Sequence, residues 1–156
     1  MAHTPQAKFV WIGSFEPEGD FAEAAIEAEV RRLGLEQNVT FTGEMEDPTS
    51  LIAKASAFLL TSRDDPKPKV LMEALALGKH CIAFDVGGVR ELLGAFGTVV
   101  PPNDVAAFCQ ALQAHQQAPP LSEAAQKQQR EWYLQHYSPE AFSHRFVQAV
   151  EWWSRR

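Results

Sequence analysis

Short apolar runs alternate with segments of helical periodicity along most of this chain, and no other feature of the sequence constrains its fold as tightly. Residues 8–14 (KFVWIGS) form the first run, closed by Gly13, and Phe21, Ala25, Ile26, Val30 and Leu33 then recur at helical spacing until Gly34. Val39, Phe41 and Gly43 alternate as a second strand, after which Asp47 is expected to cap and Pro48 to start a short helix over residues 49–55. Residues 57–61 (AFLLT) read as a third strand, and the polar loop SRDDPK leads into a helix over residues 68–77 that ends at Gly78. Residues 80–84 form a fourth strand backed by the short helix GGVRELLG, and residues 97–100 a fifth. Asn103 or Asp104 then caps the helix VAAFCQALQAHQQ. With no hairpin signal between them, these units imply right-handed crossovers and a doubly wound parallel α/β sheet covered on both faces. Such sheets bind ligands at the carboxyl ends of their strands, which directs attention to the loops after Gly13, Gly43, Thr61 and Asp85.

The remainder of the chain is helical. A helix runs through AAQKQQREWYLQ, and Ser138 as N-cap with Pro139 in the first turn opens a last helix toward Arg156. Ala141 or Phe142, Phe146, Ala149 or Val150 and Trp153 form an apolar stripe on it, so this helix needs a surface to cover. The expected organisation is a sheet domain over residues 1–118, with the helices of residues 119–156 packing on that same domain.

Composition narrows the function. A chain of 156 residues has room for one ordinary domain, and 46% hydrophobic with 22% charged residues suits a compact core. Fourteen basic against twenty acidic residues leave a net charge of −6, which argues against a nucleic-acid partner. No apolar run approaches the roughly 20 residues that cross a bilayer, and the first residues lack the apolar core of a signal peptide, so the expected location is cytoplasmic. Cys81 and Cys109 read as small buried thiols, and none of the five histidines is spaced for a metal site.

The helix PKVLMEALALG is apolar at Val70, Leu71, Met72, Ala74, Leu75 and Leu77, and this density predicts burial with Glu73 in its middle. A buried carboxylate loses hydration worth several kcal/mol unless something bonds to it. One partner is Lys69, four residues earlier, in the weaker orientation for a helical ion pair. The other is a polyol ligand, because a carboxylate offers paired acceptors to neighbouring hydroxyls. Asp65 lies eight positions before Glu73, at the carboxyl end of the third strand. The free N–H groups around Lys69, Val70 and Leu71 make the helix start between them an anion site, and Pro68 costs nothing there.

The stretch SRDDPKPKVLMEALALGKHCIAFDVGGVRELL resembles the donor-site signature of retaining glycosyltransferases with the GT-B fold, which carry a Glu, seven residues, Glu motif. GSFEPEG, VTFTGEMED and TVVPPNDVAAFCQAL resemble that family's flanking blocks in the same order. The resemblance implies a Rossmann-like sheet, half of a GT-B fold, with a helical C-terminal extension. It implies no cofactor, the ligand being a nucleotide-diphosphate sugar as substrate. By position, Glu73 would bind the ribose hydroxyls and Asp65 would contact the transferred sugar, the two standing as the catalytic acids. Lys67, Pro68, Lys69 and Val70 would form the loop whose amides meet sugar and diphosphate. Gly43, Glu44 and Met45 would flank the base, and Gly13 would allow close approach beside it. Asp65 stands where the family has Glu and is one methylene shorter, which bears on sugar positioning more than on nucleotide binding.

The same resemblance implies a truncated domain. The family's catalytic domain opens with a strand, a Gly-Arg loop and a Lys-bearing helix that neutralise the departing diphosphate, and this chain begins at the next strand; the acceptor-binding domain is missing as well. Lys67 and Lys69 either substitute for that charge or belong to a solvated loop. The strands KFVWIGS and AFLLTS should then flank a gap, unless they pair directly or another chain fills it. Two functions follow as expectations: a donor-binding half that acts with a second polypeptide supplying the acceptor domain, or a non-catalytic module that associates, as a homo-oligomer or otherwise, through the sheet gap or the last helix. Trp152, Trp153 and Phe146 are read as core or, with no acceptor domain to cover them, as an interface patch.

Overall fold

The computed structural model describes residues 7–15, 18 and 22–156. Phe21, counted above in the first helical stripe, and residues 16, 17 and 19 of the GSFEPEG block lie outside them. The chain forms two compact units, Met1–Pro48 and Thr49–Arg156.

In the first unit β1 (Phe9–Trp11) pairs in parallel with β2 (Val39–Phe41), Phe9 opposite Val39 and Trp11 opposite Phe41. The crossover is α1 (Glu23–Arg32), which Gly34 terminates as the sequence predicts. Gly34 adopts φ +66°, and the bonds from Gly34 N–H to Arg31 and from Leu35 N–H to Val30 satisfy carbonyls that the helix end leaves open. Trp11, Phe15 and Phe41 gather at centroid distances of 5.2 to 6.4 Å. All three residues of β1 are nevertheless exposed, and α1 has no buried residue.

The second unit opens with α2 (Thr49–Lys54), followed by β3 (Ala57–Leu60), α3 (Lys69–Ala76), β4 (His80–Phe84), α4 (Val89–Leu93) and β5 (Thr98–Val100). The strands form a parallel sheet in the order β3-β4-β5. Central β4 is the most buried strand, and its residues alternate between faces. Ile82 and Phe84 pack with Val100 and with Phe108 of α5 (Val105–Gln117), which Asp104 caps through the Ala107 N–H. Cys81 and Ala83 face the other way, where α3 and α4 supply the buried Leu71, Leu75, Leu92 and Leu93. Helices therefore cover both faces of this sheet, in the α/β class expected. Among the described residues β1 pairs with β2 and β3 with β4.

Two helices complete the chain. α6 (Glu123–Tyr137), capped by Ser122, packs against α3, and Gln129 is buried where its side-chain amide donates to the Lys79 carbonyl at 2.6 Å. α7 (Pro139–Ser154) begins at Ser138, whose hydroxyl accepts from the Ala141 N–H at 3.1 Å. None of its residues is buried: Phe142, Phe146, Val150 and Trp153 are all exposed, Trp153 by 78%. The predicted stripe is present, but the described residues do not cover it. The burial expected for Cys109 is also corrected. It is exposed, because it lies about 100° around α5 from the inward-facing Phe108.

Candidate functional site

The loop between β3 and α3, together with the first turns of α3, carries the residues singled out in the second unit. Asp65, half-buried, accepts the Lys67 N–H on its carboxylate at 3.1 Å, a local turn typical of Asp two residues before its donor. That bond occupies one of the amides the sequence suggested for a ligand. The following Pro68 is buried, stands as the N-cap of α3 and offers no side-chain cap. The first bond of the helix runs from Met72 N–H to the Pro68 carbonyl, so the amides of Lys69, Val70 and Leu71 have no acceptor within the helix.

Helical periodicity then sorts the side chains of α3. Leu71, Ala74 and Leu75 face the core, whereas Lys69, Val70 and Glu73 share the exposed side. The expectation that Glu73 is buried is thus corrected. Cover from β3, β4, α4 and α6 reaches one face only, and the apolar Val70, 42% exposed, had made the helix look buried all round. The Glu73 carboxylate keeps its water, and no ion pair joins it to Lys69 among the described residues. Desolvation gives no reason for a ligand there; position at an open helix start does.

The loop after β4 fixes the Asp65 loop in place. Gly88 N–H donates to the Pro66 carbonyl at 2.9 Å, and an ideal Cβ at Gly87 would stand 2.1 Å from the Asp65 carbonyl oxygen. The two backbones touch because Gly87 has no side chain. Beside them Arg90 binds the Asp85 carboxylate at 2.5 Å, and that bond raises the guanidinium pKa above its ordinary value. Lys67 Nζ lies 5.5 Å from the ring centroid of Tyr137, at the end of α6.

The remaining predicted residues belong to the first unit. Gly13 and Gly43 meet in an isolated antiparallel bridge, Gly13 N–H to the Gly43 carbonyl at 3.0 Å, with φ of +127° and +68°. A Cβ on either would meet no atom within 4 Å, so the backbone there is open to a ligand's approach. Gly43 also lines a shallow depression with Ser14, Phe15, Glu23 and Glu27. Glu44 and Met45 are exposed. The structure thus forms two local groups, Gly13 with Gly43 to Met45, and Asp65 to Val70 with Glu73.

Sequence reasoning missed Tyr137, Arg90 and the Gly87 contact. Only the last left a local signal, the Gly-Gly pair after β4. It also passed over His80 and His115, whose rings stack at 4.7 Å with 11° between their planes. No cluster of three or more metal-ligating side chains occurs among the described residues, and no helix is long and apolar enough to span a membrane.

Residues 1–117 match the family model described as glycosyl transferases group 1. An exopolysaccharide phosphotransferase of Streptomyces coelicolor is 38% identical over 87 residues, 53% of this chain and 9% of its own length. The Vi polysaccharide biosynthesis protein VipC/TviE of Salmonella typhi is 35% identical over 92 residues, 58% of this chain and 15% of its own. Among solved structures, sucrose-phosphate synthase of Thermosynechococcus elongatus superposes with a TM-score of 0.82 at 28% identity, over 97% of this chain and 40% of that one. HepE of Anabaena, solved in complex with UDP, shares the fold with a TM-score of 0.78 at 22% identity, over 94% of this chain and 41% of its own. The solved structures are glycosyltransferases of the GT-B fold, and the chain spans less than half of each of these relatives.

Proposed function

Because the chain belongs to the glycosyl transferases group 1 family, matching its model over residues 1–117, we propose that it binds a nucleotide-diphosphate sugar as the donor half of a retaining glycosyltransferase. The observation that carries this reading is the start of α3, where the free amides of Lys69, Val70 and Leu71 stand between the half-buried Asp65 and the exposed Glu73. Unbonded amides and the positive end of a helix favour a diphosphate, and the dipole alone contributes about 0.3–1 kcal/mol at an exposed site. Lys67 and Lys69 add positive charge. Glu73 accepts hydrogen bonds from the ribose hydroxyls, and Asp65, shorter than Glu, meets the sugar hydroxyls. Transfer at the front face with retained configuration then depends chiefly on stabilising the leaving diphosphate. An acceptor-binding domain completes the reaction, and the compartment is the cytoplasm.

A second reading, a non-catalytic association module, is favoured by the exposed aromatic side of α7 and the exposed β1. It predicts a ligand-free dimer by light scattering. The donor reading predicts that a UDP- or GDP-sugar raises the melting temperature and that Glu73→Ala removes the shift. No shift with any nucleotide sugar at millimolar concentration would refute it.

A further inference from the structure

We propose that Tyr137 is a positioning residue for the Asp65–Lys69 loop, holding it to α4 from the corner where α6 passes into α7. Three contacts place its ring. The hydroxyl donates to the Glu91 carbonyl at 2.9 Å, the ring packs on Trp132 at 5.3 Å, and Lys67 Nζ sits 5.5 Å from its centroid. Trp132 is itself seated against backbone, since an ideal Cβ at Gly94 would come within 2.7 Å of the indole. Burial pushes the phenol pKa up, the Glu91 charge acts in the same direction and Arg145 opposes it, so the hydroxyl keeps the proton that it donates.

The loop is therefore held at two places of different kind. Gly87 and Gly88 grip the backbone of Asp65 and Pro66, and Tyr137 grips the side chain of Lys67. The first fixes where the acid sits. The second fixes where the Lys67 ammonium sits, two residues before α3, and restrains the Lys67 amide that bonds Asp65. Without the ring the long side chain swings freely in water, and the turn loses one of its two supports.

The inference rests on the donor-site reading of this loop, but its first readout needs no ligand. In the intact chain, Tyr137→Leu and Lys67→Gln should each speed exchange of the residue-67 amide, corrected for intrinsic rate, by about two- to five-fold, the range of an exposed cation–π contact. The double variant should exchange no faster than either single one, and Tyr137→Phe, which keeps the ring, should stay near wild type. The Lys67 ε-protons should lose an upfield ring-current shift in Tyr137→Leu alone. Lys67→Gln, a surface change, keeps the test valid if Tyr137→Leu fails to fold. Unchanged exchange in both single variants, or additive effects in the double, would overturn the proposal. As a second readout, Tyr137→Leu should weaken binding of UDP-glucose, GDP-mannose or ADP-glucose, whichever wild type binds, and Tyr137→Phe should restore it. If wild type binds none while exchange responds as stated, the donor reading fails and the tether stands.

Discussion

Gly87→Ala tests the construction of the loop pair around Asp65. An ideal Cβ at Gly87 stands 2.1 Å from the Asp65 carbonyl oxygen, 2.8 Å from Pro66 Cα and 2.9 Å from the Asp65 carbonyl carbon. All three are backbone atoms, so no side chain can rotate away, and one loop must move. Gly87 also has φ +48°, where an L-residue costs roughly 1–2 kcal/mol. Forcing packed backbone apart adds about 1–3 kcal/mol. The sum, about 3 kcal/mol, lowers the melting temperature by about 10 °C in a chain of this size. Gly34→Ala supplies the comparison: φ there is +66° with no atom within 4 Å of the added Cβ, so only the conformational cost applies. Urea unfolding of both variants, followed by circular dichroism, separates the two contributions. Equal destabilisation would show that the close approach of the loops does not exist in solution.

Two further outcomes follow from titration and exposure. Burial lowers the His80 pKa from 6.5, the charge of His115 lowers it further, and the ring contacts Thr98 Oγ1 at 3.2 Å. The folded state therefore prefers neutral His80, and that stability is present above pH 6.5 and lost as pH falls below it through the folded value. Melting temperature should drop from about pH 7.5 to about pH 5 more steeply in wild type than in His80→Gln, and parallel curves would contradict this. For the thiols, exposed Cys109 should react with an aromatic disulfide reagent in native protein. Cys81, buried and with its pKa pushed up to about 12, should react only on unfolding. Two equally fast thiols would contradict the packing of β4.

What was legible in the sequence was what local chemistry decides. β4 spans His80–Phe84, the five residues that the sequence assigns to the fourth strand, and Ser138 caps α7 where the Ser-Pro pair predicts it. Contacts between distant segments were not legible. Lys67 and Tyr137 are seventy residues apart, and neither carries a pattern that names the other. Glu73 failed for a different reason: exposed Val70 and half-buried Met72 are as apolar as their buried neighbours, so hydrophobicity overstated how far α3 is covered. For α7 the stripe was read correctly. Periodicity states which side of a helix is apolar, and only packing decides whether anything covers it.

The central claim is a nucleotide-sugar site at the start of α3, and calorimetric titration with UDP-glucose, GDP-mannose and ADP-glucose tests it most directly. Glu73→Ala is a clean comparison because the side chain is exposed and has no ion-pair partner among the described residues, so its removal should change stability by no more than about 0.5 kcal/mol. The account predicts saturable heat with at least one of the three sugars, lost in a Glu73→Ala protein that unfolds like wild type. No heat with any of them at millimolar concentration, or equal heat from both proteins, would contradict it.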